Sequence, residues 1–85
     1  MVDKIFMREE IRDALRMIVA HRAQKALNWA VGYAEYGINM IDNGCSDYDL
    51  ETQLLYVIGN ISRWRGSEAK ETREILKKAL KALRK

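Results

Sequence analysis

The sequence contains no proline, only five glycines and a single cysteine in 85 residues. So few turn-forming residues argue against a turn-rich β-sandwich and against a disordered chain. No apolar run approaches the roughly 18 residues that a membrane-spanning helix needs. The first residues do not follow the pattern of a secretory signal, because charged side chains interrupt them. These absences predict one all-α, helical domain over residues 1–85, located in the cytoplasm and without a membrane partner.

Histidine and cysteine are too scarce for most metal and nucleophilic chemistry. Cys45 has no second cysteine to pair with, and the only histidine, His21, lies far from it in the sequence. A zinc site needs about four nitrogen, sulfur or oxygen ligands, and this pair falls short. No glycine-rich phosphate loop and no Ser/His/Asp arrangement is present. The sequence therefore predicts no enzymatic activity, no cofactor and no metal.

Two glycines mark the ends of predicted helices. Gly44 can take the left-handed conformation that ends a helix, and Ser46 can cap the next one. Gly66 and Ser67 repeat the same arrangement of glycine followed by a capping residue. These signals predict helices over residues 4–42, 47–65 and 68–84.

The second and third predicted helices are amphipathic, so they are expected to pack as an antiparallel helical hairpin. Apolar residues of the second helix recur at steps of four and three, which is a seam for a partner helix. Those of the third helix form one stripe. The seam comprises Leu50, Leu54, Val57, Ile61 and Trp64, and the stripe comprises Ala69, Thr72, Leu76, Ala79, Leu80 and Leu83. Leu55 and Tyr56 fall outside the seam and predict a contact on a second side.

The first predicted helix is too long for a compact chain of this size. Residues 4–42 would span about 58 Å at 1.5 Å per residue, whereas a compact domain of 85 residues is about 30 Å across. No residue near position 22 demands a break. We therefore expect a long, unbroken or gently bent helix that packs with the hairpin as a three-helix bundle. The alternative is a break near residue 22, which would give four helices.

Apolar residues of the segment 27–41 cover an arc of about 220°, wider than the one face that a surface helix buries. The other two helices can cover one side, so we expect a second copy of the chain to cover the other. The predicted function is a self-associating binding, adaptor or structural module, with a homodimer favoured over larger oligomers. The predicted self-association residues are Met7, Ile11, Leu15, Ile18, Trp29, Tyr33 and Tyr36.

The four tyrosines leave a second interpretation open. Aromatic side chains bury large areas and most often lie in cores or interfaces, which is the interpretation that we favour. The alternative is that Tyr33, Tyr36, Tyr48 and Tyr56 line a small pocket.

Positive charge is concentrated toward the C-terminus. The net charge is +3, and residues 67–85 contain seven basic and three acidic side chains. Cations near a helix C-terminus complement the helix dipole, which is the simpler explanation. The alternative function is a nucleic-acid-binding accessory protein whose cations contact phosphates. The candidate phosphate contacts are Arg63, Arg65, Arg73, Lys77, Lys78, Lys81 and Arg84.

Overall fold

The structure, a computed structural model, describes the backbone of residues 4–84 and the side-chain environment of residues 7–84. Within that range the fold is all-helical, with four α-helices, one short 3-10 helix and no strand. None of these helices is long and apolar enough to cross a membrane. The four α-helices are α1 (Lys4–Ala20), α2 (Ala30–Asp42), α3 (Asp47–Asn60) and α4 (Ser67–Leu83).

The prediction of one long first helix is wrong, because the chain breaks between α1 and α2. The alternative of a break near residue 22, giving four helices, is confirmed. Residues 21–29 connect the two helices through turns and the short 3-10 helix. His21 Nδ1 donates to the carbonyl oxygen of Met17 at 2.8 Å, and Arg22 Nε donates to that of Val19 at 3.3 Å. Each of these carbonyls also accepts a backbone amide, Met17 from His21 and Val19 from Arg22, so the two side chains add second bonds to the last turn of α1. The helix ends here without glycine or proline.

His21 also ties the break to a distant part of the chain. Its Nε2 lies 2.8 Å from a carboxylate oxygen of Glu68, in the first turn of α4. Its ring lies against the ring of Trp64, with the two centroids 5.3 Å apart and the planes tilted by 49°. Trp64 is almost completely buried. The end of α1 is therefore held by residues more than forty positions away in the sequence.

Helices that are neighbours in the chain pack side by side and run antiparallel. α1 packs against α2 and α4, and α3 packs against the same two helices. Arg12, in the middle of α1, pairs with Asp42 at the end of α2, and Arg22, just after α1, pairs with Glu35 in the middle of α2. The molecule measures 34 × 23 × 17 Å, so its longest dimension is well below the roughly 58 Å of an unbroken helix over residues 4–42.

The core draws on all four helices. The predicted seam of α3 and of the residues after it is confirmed, because all five of its members are buried. The stripe of α4 is also confirmed, with Leu83 half-buried at its end. The core residues of α1 and of the segment from the break into α2 are Met7, Ile11, Ala14, Leu15, Ile18, Leu27, Ala30 and Ala34.

Gly37 sets the distance between α1 and α2. A Cβ atom added at this position would lie only 3.0 Å from Cδ1 of Leu15 and 3.5 Å from Cγ of Gln53. The first distance is shorter than ordinary van der Waals contact, so the two helices approach closely because position 37 has no side chain. Ala30 and Ala34 on the same helix are fully buried. These small residues of α2 serve packing within one chain.

The predicted helix boundaries are right at one turn and shifted at the other. Gly44 has a φ of 72°, and the amide of Asp49 donates to Ser46 Oγ at 3.1 Å, so the predicted cap of α3 is confirmed. Ser67 does not cap α4 but is its first residue, and the N-cap position belongs to Gly66, which has a φ of 112°. α3 ends at Asn60, earlier than the predicted residue 65.

The core assignment predicts opposite outcomes for two adjacent residues of α1. Ile18 is fully buried, whereas Met17 is 37% exposed. Replacing Ile18 by Asp removes buried apolar volume and puts a carboxylate into the core, so we expect a loss of at least about 4 kcal/mol of stability. The control Met17→Asp should change the stability by less than about 1 kcal/mol. Thermal unfolding followed by circular dichroism measures both, and an Ile18→Asp protein that melts like the parent would contradict the assignment.

The contacts at the break predict that His21 stabilises the fold. Replacing His21 by Ala removes the hydrogen bond to Met17, the pairing with Glu68 and the packing on Trp64. We expect this change to cost about 1–3 kcal/mol, because a partly exposed ion pair contributes little and the other two contacts contribute most. The control is Arg16→Ala at an exposed position of the same helix. Denaturant titration gives both values, and equal stabilities would show that the break is maintained without His21.

Candidate functional site

Most of the large apolar side chains that remain exposed in the described range lie on α2, on α3 and at the residue just before α2. Trp29 is 79% exposed, Tyr36 63% and Tyr48 75%. Tyr33 and Tyr56 are also exposed, and their rings stack at a centroid distance of 5.6 Å across the two helices. We call these five residues the aromatic face. An exposed apolar patch of this kind is typical of an interaction site.

A groove runs into the aromatic face between its aromatic side chains. It has a volume of about 460 Å³ and is lined mostly by apolar surface of Trp29, Tyr33 and Tyr36. Gly32 opens the groove, since no atom lies within 4 Å of the place where its Cβ would be. Gln53 forms part of the lining and is fixed there, because its Nε2 donates to the carbonyl oxygen of Tyr33 at 2.9 Å.

A second groove continues from the first toward the turn between α2 and α3. It has a volume of about 630 Å³ and shares Tyr36 and Gln53 with the first groove. Its lining is more polar, because Asn39, Asp49 and other polar residues stand beside Tyr48. The two grooves therefore adjoin each other along α2 and α3. We call these two helices the α2–α3 hairpin, or simply the hairpin. The more apolar groove lies at the Trp29 end.

The charges around the aromatic face are largely neutralised. Residues 26–62 contain five acidic side chains and no lysine or arginine. Four of these acids pair with arginines from outside the hairpin, at nitrogen–oxygen distances of 2.8 to 3.2 Å. The pairs are Arg8 with Asp47, Arg12 with Asp42, Arg22 with Glu35, and Arg84 with Glu51. The hairpin therefore presents an aromatic surface with little net charge.

Arg8 makes the most buried of these pairs. Its Nη2 donates to Asp47 Oδ1 and to the carbonyl oxygen of Cys45, each at 2.8 Å, and its Nη1 points at the Cys45 sulfur at 3.6 Å. Burial alone would lower the pKa of the Arg8 guanidinium, but the bonds to Asp47 and Cys45 outweigh this effect and raise it. Arg8 therefore stays charged and joins α1 to the start of α3.

The predicted self-association residues divide between the core and the surface. Met7, Ile11, Leu15 and Ile18 lie in the core of their own chain, so none of them offers an exposed surface in this fold. The remaining three residues lie together on the aromatic face and line its first groove. The reason for the division is the break after Ala20, which turns the apolar side of α1 inward.

Several of the predicted phosphate contacts are engaged inside the chain. Arg73 Nη1 donates to the carbonyl oxygens of Trp64 at 2.6 Å and Ile61 at 3.3 Å, just beyond the end of α3. Arg65 donates to the carbonyl oxygen of Ser62, and Arg84 pairs with Glu51. The other four are exposed, namely Arg63, Lys77, Lys78 and Lys81.

Sequence reasoning found the aromatic face only in part. Tyr48 and Tyr56 were not among the predicted association residues, but the alternative interpretation grouped them with Tyr33 and Tyr36 as the lining of a pocket. Of these four tyrosines, Tyr33, Tyr36 and Tyr48 line the grooves. Gly32 and Gln53 gave no signal, because an exposed glycine and a glutamine beside the seam resemble ordinary helix residues. Only the pairing of α2 with α3 brings these residues to one surface.

The described residues show no arrangement that points to catalysis by a metal. No group of three or more His, Cys, Asp or Glu side chains among them is placed to hold a metal ion. No protein-family model matches the chain, and neither a curated protein nor a solved structure matches it.

The open groove predicts that Gly32 is not required for folding. Alanine at this position meets no neighbour within 4 Å and improves the helix propensity of α2. We expect Gly32→Ala to stabilise the protein by about 0.5–1 kcal/mol in a denaturant titration. Gly37→Ala is the control, since its added methyl group must displace the buried Leu15 and should gain less or lose stability. A destabilised Gly32→Ala protein would show that a contact at this position supports the fold.

Proposed function

We propose that the chain is a self-associating binding module in which two copies meet through their aromatic faces. The observation that supports this most directly is the exposed row of Trp29, Tyr33 and Tyr36 along a groove in a helical hairpin. Aromatic residues are enriched at interfaces because they bury large areas at low entropic cost. The proposal concerns binding and assembly, not catalysis.

The neutrality of the surface favours a second copy as the partner. In a two-fold dimer the same patch faces itself, so every uncompensated charge near the axis meets a like charge. Four of the five acids on the hairpin are compensated by arginines from the same chain. An aromatic face with so little net charge can therefore meet its own copy without repulsion.

The area of the aromatic face is also sufficient for a dimer. Its five side chains are between 39% and 79% exposed, so they would bury roughly 500–800 Å² per copy if an aromatic residue buries 150–250 Å². A standard interface buries about 800 Å² on each partner. Neighbouring residues of the two grooves would add to this area. A dimer of ordinary size therefore needs no surface beyond the α2–α3 hairpin.

Tyr36 is the residue on which to test the proposal, because it lines both grooves. Light scattering behind a sizing column should give about twice the 9.9 kDa chain mass for the parent protein. Tyr36→Lys removes an aromatic anchor and places a cation against its own copy, so we expect at least about thirtyfold weaker association. The control Met17→Lys adds the same charge at an exposed position of α1 and should remain a dimer.

Two outcomes would overturn the proposal. One is a parent protein that stays at the mass of a single chain at the highest concentration. The other is a folded Tyr36→Lys protein that keeps the dimer mass. Tryptophan emission gives a second measurement, since dilution should expose Trp29 and shift the emission to the red. Trp29→Phe should abolish this shift, because the remaining Trp64 is buried within its own chain.

A further inference from the structure

Basic side chains are excluded from the middle of the chain. All 15 lysines and arginines precede residue 26 or follow residue 62. In the fold these two parts form α1 with the residues of the break, and α4 with the loop before it. The cations therefore lie on one pair of helices, and the aromatic face lies on the other pair.

The arginines before residue 26 and the lysines of α4 differ in their ion pairs. Arg8, Arg12 and Arg22 reach across to acids of the hairpin. On α4, by contrast, Lys70, Lys77 and Lys81 are exposed, and among the described residues no ion pair to any of them is found. Among the described residues, these three lysines are therefore open to an external partner.

The three lysines lie in one row along the helix. At 100° per residue they fall within an arc of about 40°, and they are separated along the axis by about 10 Å and 6 Å. Glu71 and Glu68 lie away from this arc, and Glu74 borders it as the only acid beside the row. We call Lys70, Lys77 and Lys81 the lysine row.

The loop before α4 extends the positive surface on the same side. Arg73 lies next to the lysine row around the helix, and its bonds to the carbonyl oxygens of Ile61 and Trp64 hold the loop beside it. Arg63, within this loop, is exposed. The loop that contains Arg63 therefore lies beside the lysine row, on the side of α4 that also contacts α3.

We propose that this surface binds the phosphate backbone of double-stranded nucleic acid without reading its sequence. Lysines on a rigid helix act as point charges that neutralise successive phosphates and release counterions. Among the described residues, no large apolar side chain is exposed on α4, so the helix lacks the apolar face that membrane binding requires. The exposed aromatic residues lie on the hairpin instead, so the row also lacks the stacking platforms typical of single-strand binding.

The test uses the full chain and a labelled duplex of random sequence, followed by fluorescence anisotropy at several salt concentrations. Three phosphate contacts predict that the affinity falls about fortyfold between 50 and 200 mM salt. The variant Lys70→Gln, Lys77→Gln, Lys81→Gln should bind at least about tenfold more weakly at low salt. Its salt slope should decrease by about three, one for each lysine. Glutamine is a good helix former, so circular dichroism should show an unchanged fold.

A charge-matched control distinguishes the effect of the lysine row from the effect of lowering the net charge. A two-site row variant, Lys70→Gln, Lys77→Gln, removes two positive charges from the row. Its matched control, Arg16→Gln, Lys25→Gln, removes two positive charges at exposed positions outside α4. We expect the control to bind the duplex within about threefold of the parent, because its row is intact.

Three results would overturn the inference. They are no binding of duplex at low salt, an equal loss of affinity in the control variant, and binding of anionic vesicles at least as tight as binding of duplex. The Tyr36→Lys protein keeps the lysine row. If this protein is monomeric but still binds the duplex with the same salt dependence, nucleic-acid binding does not depend on dimerisation.

Discussion

The end of α1 at Ala20 is the constraint on which the rest of the fold depends. If the helix continued to Asp42, its apolar residues would extend along a rod that the remaining chain is too short to cover. At this end His21 and Arg22 add side-chain bonds to carbonyls of the last turn, and His21 also contacts Glu68 and Trp64. The apolar sides of α1 and α2 can therefore face each other, and a closed core becomes available to one chain.

Much of the fold was predictable because its signals are local. The scarcity of glycine and proline indicated helices, the turn at Gly44 and Ser46 was placed correctly, and the α3 seam and α4 stripe are buried. The break after Ala20 was not predictable in the same way. Histidine and arginine occur in many helices, and the role of His21 depends on residues of α4 that come close only after folding.

The error about the first helix also explains why the predicted association residues divide between the core and the surface. An apolar arc that is too wide for one face indicates two contacts, but it does not say which contact belongs to the same chain. Once α1 turns back, Met7, Ile11, Leu15 and Ile18 are covered by the chain itself. Trp29, Tyr33 and Tyr36 stay exposed because Ala30, Ala34 and Gly37 form the inner side of the same helix.

A single asymmetry of charge accounts for both candidate surfaces. The hairpin has acids and no cations, so it draws arginines from α1 and from the end of α4, and these pairs leave the aromatic face almost neutral. Lys70, Lys77 and Lys81 make no ion pair within the described part of the chain, so their charge remains. An apolar surface without charge favours its own copy, whereas a row of uncompensated lysines favours a polyanion. Because the two surfaces lie on different helices, a dimer formed through one would still present the other on each copy.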